Sequence, residues 1–120
     1  MDISELRQSV ESEIASYTYS VHKEALGQPM SKEWVSAQLK EMLGALVDPA
    51  WRTIAIRDSV EQARGEAEPE LRQCVIVADD QEGYELYYDP LAQEFVLAYS
   101  GNPPTTFNVR GDAVGCFMAR

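Results

Sequence analysis

The stretch CVIVADDQEGYELYYDPLAQEFVLAYSG, residues 74–101, decides the fold. It reads as three strands joined by two short polar turns. The first belongs to LRQCVIVAD (71–79), a mostly apolar run of the kind found in central strands covered on both faces. YELYYD (84–89) alternates, with Tyr84, Leu86 and Tyr88 on one face and Glu85 and Tyr87 on the other. EFVLAYS (94–100) is again apolar. The connections are too short for crossovers, so the strands must pair antiparallel.

The acids between the first two strands raise a question of chemistry. A calcium loop of the helix–loop–helix type needs oxygen ligands at positions 1, 3, 5 and 12 and glycine at 6. Counted from Asp79, position 3 is Gln81, position 5 is Gly83 and position 12 is Pro90. The match fails, and no metal is expected. Turn chemistry explains the same residues: Asp side chains accept from backbone N–H groups two residues on, and Gly83 supplies a positive φ. Asp89-Pro90-Leu91-Ala92-Gln93 reads as a second turn, with Asp and Pro in its first two positions.

Working outward, TTFNVRG (105–111) is a further strand, and Asp112 can cap a last helical turn over AVGCFMAR, which reads as a short strand too; Gly115 weakens either reading. Before residue 71, WRTIAIR (51–57) alternates as a strand, and DSVEQARGEAEPE (58–70) is a short helix or an acidic loop. Two helices come first. Ile3, Leu6, Val10, Ile14, Tyr17 and Val21 form one helical stripe. Val35, Leu39, Met42 and Leu46 form another, capped by Ser31 and ended near Asp48 by Pro49. The expected fold is α+β: an N-terminal helical hairpin packed on a four- to five-stranded antiparallel meander sheet, with the helices over one face. The length of 120 residues suits one domain, residues 1–120.

Twenty acids oppose ten bases, a formal net charge of -10. Such a field repels nucleic acid and anionic membrane surfaces and speeds encounter with a basic protein. No signal peptide or membrane-spanning run is visible, so a cytoplasmic location is expected. Cys74 and Cys116 are too sparse for a disulfide scaffold and not spaced as a zinc motif. The tripeptide Arg110-Gly111-Asp112 reads as a turn into a helix cap.

Catalytic signatures are missing. His22, the one histidine, suits the end of the first helix and has no partner in the sequence. No glycine-rich phosphate loop or nucleophile elbow is present, so no cofactor is expected. The reading that remains is a small acidic, non-enzymatic interaction protein with a basic protein partner, an immunity- or inhibitor-like role being one version. Its contact residues would be Asp79, Asp80, Glu82, Glu85 and Tyr87, at the turn end of the sheet. The alternative is a small-ligand binding domain with an apolar pocket between helices and sheet, lined by Trp34, Trp51, Tyr88 and Tyr99. A third reading, an enzyme, would need a cleft that brings His22, a cysteine or two coupled carboxylates together. A homodimer through WRTIAIR or TTFNVRG as a free sheet edge is compatible with all three.

Overall fold

A computed structural model describes residues 2–17 and 31–120. The elements run α1 (Ser4–Ser16), α2 (Lys32–Ala45), β1 (Leu46–Ile56), α3 (Val60–Ala63), β2 (Glu70–Asp79), β3 (Tyr84–Asp89), β4 (Glu94–Tyr99), β5 (Thr105–Gly111) and α4 (Ala113–Met118). Helices precede a five-stranded meander, so the α+β reading holds. The first helix is shorter than its apolar stripe. Val21 and His22 lie outside the described residues.

The second helix also ends early. Leu46 stays in phase with Val35, Leu39 and Met42, which is why the stripe points to a helix reaching Asp48. The backbone instead turns extended at Leu46, φ -62° and ψ 138°. Leu46 then lies opposite Ala78 on β2, where it is buried. Pro49 sits where the β1–β2 register shifts, between Leu46 and Ala50. A proline has no N–H to offer a ladder, and an irregularity is where a strand tolerates one.

The sheet closes. β1, β2, β3, β4 and β5 pair in order, each with its successor antiparallel, and β5 returns to β1. An odd number of antiparallel strands leaves the first and last running the same way, so the closing pair is parallel. It consists of Ala55 opposite Thr105 and Ile56 opposite Thr106, held by Ala55 N–H to Pro104 O (2.8 Å) and Arg57 N–H to Thr106 O (2.9 Å). The two strands read from the sequence as free edges therefore pair with each other. Followed strand to strand, the register leaves β2 at Asp79, passes Glu85, Ala98, Thr106 and Ile56, and returns to β2 at Glu70. That stagger is the shear a small barrel needs, and it tilts the strands enough for side chains to fill the lumen.

Closure produces two cores on opposite faces of one sheet. Ile54, Ile56, Cys74, Ile76, Tyr87 and Val96 fill the lumen. On the outer face Val77, Leu86 and Leu97 meet Val10 and Ile14 of α1, Met42 of α2 and Phe117 of α4. β2 is covered on both faces, as its apolar run implies. α4 forms despite Gly115, because two carboxylates serve its N-terminus. Asp112 accepts from Gly115 N–H (3.2 Å), and Glu13 of α1 accepts from Val114 N–H (2.7 Å).

One mouth of the barrel is closed by ions. Asp89, fully buried, accepts from Leu91 N–H (3.2 Å) and Ala92 N–H (3.4 Å) with Oδ1, fixing the β3–β4 turn. Its Oδ2 accepts from Arg110 (3.0 Å) and from Arg72. Arg110 also donates to Asp58 (2.7 Å) and Glu94 (3.3 Å), and Arg72 to Glu70. The network ties β2, β3, β4 and β5 together at the end of the chain's closing seam.

Cys74 is in the lumen and Cys116 is under α4, so the sheet stands between them and both are free thiols. Burial pushes each thiol up to about 12, with nearby carboxylates adding to the rise. The thiolate is the reactive form. Neither cysteine should react with an aromatic disulfide reagent at pH 8 in the folded protein, and both should react at once in denaturant. A fast native reaction at either thiol would contradict its placement.

Candidate functional site

The β2–β3 turn is built by its own acids. Asp79 Oδ1 accepts from Gln81 N–H (2.8 Å), and Asp80 Oδ1 accepts from Glu82 N–H (2.8 Å) and Tyr84 N–H (3.0 Å). Gln81 (φ 58°) and Gly83 (φ 116°) take the left-handed conformations that reverse the chain. Turn chemistry thus accounts for Asp79 and for one oxygen of Asp80. Among the described residues, no group of three His, Cys, Asp or Glu side chains is placed to hold a metal ion.

The other oxygen of Asp80 faces a groove between this turn and α2. Helical spacing brings Trp34, Gln38 and Glu41 to one wall, and the turn contributes Asp80, Glu82 and Tyr84 to the other. The groove has a volume of about 410 Å³. A second hollow of about 300 Å³ shares Glu41, Asp80 and Glu82 and extends to Asp79. Arg120 lies between the walls. It donates to Asp80 Oδ2 (2.9 Å), Glu41 Oε1 (3.2 Å) and Gln38 Oε1 (2.8 Å). Its guanidinium carbon is 3.9 Å from the centre of the Phe117 ring, a cation–π contact.

The electrostatics follow from these contacts. Burial opposes ionisation of Asp80, but the Glu82 and Tyr84 N–H groups and Arg120 outweigh it and hold the carboxyl below its usual range. Asp80 is therefore charged and already partnered. Glu82 and Glu41 are exposed. Glu41 already holds Arg120 through Oε1, so Glu82 and the second oxygen of Glu41 are what a second cation would meet.

Tyr84 also begins an aromatic strip. Its ring lies 5.1 Å from Tyr99, and Tyr99 lies 5.7 Å from Phe107, centre to centre. The strip crosses the outside of β3, β4 and β5, with Tyr99 52% and Phe107 40% exposed.

Two expected contact residues are elsewhere. Tyr87 is fully buried in the lumen, and its hydroxyl donates to Glu85 Oε1 at 2.9 Å. Burial and that carboxylate push the phenol well above its ordinary value. Glu85 is itself buried. Neither side chain can form the surface expected of it, because the face of β3 that would meet solvent in an open sheet faces the lumen in a closed one. Asp79, Asp80 and Glu82 do lie together on the groove.

The four aromatic residues expected to line one apolar pocket stand apart. Trp34 is in the groove, and Tyr99 is on the exposed strip. Trp51, 48% exposed, and Tyr88 flank Val75 in a different cross-strand row, where Tyr88 packs on Phe95. Gln38, Glu41 and Arg120 were not singled out from the sequence. The first two carried a signal, since Trp34, Gln38 and Glu41 recur at helical spacing along the border of the buried stripe of α2. Arg120 carried none, because its partners are distant in the chain.

No family model matches the chain, and neither does any curated protein or solved structure. Among the described residues, no helix is long and apolar enough to cross a membrane.

Proposed function

We propose that this protein is a non-enzymatic interaction protein whose groove receives a basic protein partner. One observation carries the reading: the carboxylates of Glu41, Asp79, Asp80 and Glu82 line adjoining hollows beside the rings of Trp34 and Tyr84. Among the described residues a single guanidinium, that of Arg120, offsets them there. The net charge of -10 adds long-range attraction for a cationic surface, and aromatic rings offer contact area with a polar tip. Neutralising a basic toxin or inhibiting a basic enzyme would each suit such a surface. Nothing in the arrangement of Trp34, Trp51, Tyr88 and Tyr99 favours a small-ligand pocket.

Charge reversal tests the reading. Glu41→Lys with Glu82→Lys changes two exposed groups and leaves Asp80 to hold the turn. Basic protein captured by the wild type at low salt from the source lysate should be lost from the double variant. Affinity for that captured protein should fall by about tenfold or more, chiefly through slower association. Equal capture by wild type and variant, at an equal thermal midpoint, would reject the groove as the contact.

A further inference from the structure

The structure joins the groove to the aromatic strip, and we infer that together they form a surface that reads arginine in an extended segment of the basic partner. The inference rests on the proposed role of the groove and names what the groove recognises. Tyr84 belongs to both features. It is a groove wall, and its ring meets that of Tyr99 at a tilt of 36°, and Tyr99 in turn meets Phe107. A segment leaving the acids over Tyr84 therefore runs directly onto two exposed rings.

The chemistry selects guanidinium over ammonium. Arg120 shows what the groove does with a guanidinium, since it donates to two carboxylates and an amide oxygen while its central carbon stands 3.9 Å over the ring centre of the buried Phe117. A planar fork can satisfy carboxylates along its edge and stack its face on an aromatic ring at the same time. A lysine ammonium is a compact, strongly hydrated charge and does neither as well. The strip outside the groove offers the exposed rings of Tyr99 and Phe107, and Glu82 and Glu41 offer carboxylates beside Tyr84, where it starts.

Charge also argues against the other occupant of an exposed aromatic face, a second copy of this chain. Two molecules of net charge -10 repel at low salt, whereas an arginine-bearing segment is attracted to the same place.

The test uses the full chain with Trp51→Phe, so that Trp34 emission reports the groove. The probes are three synthetic peptides of equal length, alternating Arg-Gly, Lys-Gly and Gln-Gly. The Arg-Gly peptide should bind about tenfold more tightly than Lys-Gly, and Gln-Gly should not bind. Tyr99→Ser with Phe107→Ser should remove the preference and leave equal, salt-sensitive binding of both cationic peptides. Tyr99→Phe with Phe107→Tyr should restore it. Equal binding of Arg-Gly and Lys-Gly to the unmodified strip, or a preference that survives the serine pair, would overturn the inference and leave the groove's proposed role standing. Failure of both cationic peptides to bind at low salt would overturn the two together. Sedimentation showing a dimer that the serine pair dissolves would give the strip to a second copy and overturn the inference alone.

Discussion

Replacing Asp89 with alanine lowers the free energy of unfolding by about 3–5 kcal/mol, the cost of removing one partner from a buried ion network. Urea denaturation of the two proteins measures it. The side chain is fully buried and answers to Arg72, Arg110 and two turn N–H groups. Alanine leaves both guanidinium groups facing an apolar lumen without their shared carboxylate, and it uncaps the β3–β4 turn. The substitution Asp89→Asn keeps the turn acceptor and loses the charge, so its cost should fall between wild type and alanine. A loss below about 1 kcal/mol in the alanine variant would mean that the network is solvated.

The same group shapes the acid limb of stability. Burial alone would raise the Asp89 carboxyl, but Arg110, the Ala92 N–H and Arg72 outweigh it and hold the group below its ordinary 3.8. A carboxyl lowered by folding contributes stability that is present above its unfolded value and lost as pH falls through the folded one. Asp80 acts in the same direction. Glu13 opposes them. Burial raises it above 4.5, and Asp112 adds to the rise, so the folded state takes up its proton more readily and gains relative stability as pH falls through that raised value. Below pH 4, Asp89→Asn should flatten the decline in stability expected of the wild type.

Tyr87→Ala should cost a further, separate 3–5 kcal/mol or so, the range for emptying a large aromatic site in a core. Among the described residues the ring is the largest of the fully buried side chains, and none of the described helices lies in the lumen to sink into the space. Tyr87→Phe isolates the hydroxyl. It removes the donor to Glu85 and should cost about 1–3 kcal/mol, the penalty of a buried acceptor left unpaired. Thermal and urea unfolding of both variants decide the matter. A surface tyrosine would cost less than about 0.5 kcal/mol on truncation, so a value that small would return Tyr87 to the exterior.

That pair of variants marks where sequence reading stops. The strands were legible because Tyr84, Leu86 and Tyr88 alternate with Glu85 and Tyr87, and because Asp79-Asp80 and Asp89-Pro90 announce their turns. Alternation separates two faces without saying what covers them. Here both are covered, one by helices and one by the opposite wall of the barrel, so the polar-looking face of β3 is buried. The closing contact of Ile56 with Thr106 leaves no local trace, since it joins residues far apart in the chain. The end of α2 was misplaced for a related reason. Leu46 continues a helical stripe and suits a strand equally well, and its pairing with Ala78 decides. At the groove, Asp79, Asp80 and Glu82 were visible as a cluster, whereas Arg120 reaches them only through the docking of α4.

The placement of the two thiols on opposite sides of one sheet turns them into separate clocks. Modification of Cys74 requires the barrel to part, and the seam at Ala55 and Ile56 is its shortest junction. Modification of Cys116 requires α4 to lift while the barrel stays shut. Under conditions where reclosing outpaces the reagent, each rate reports the free energy of its own opening. Cys74→Ser and Cys116→Ser proteins, each with one remaining thiol, would show whether the barrel and its helical cover come apart as one unit or as two.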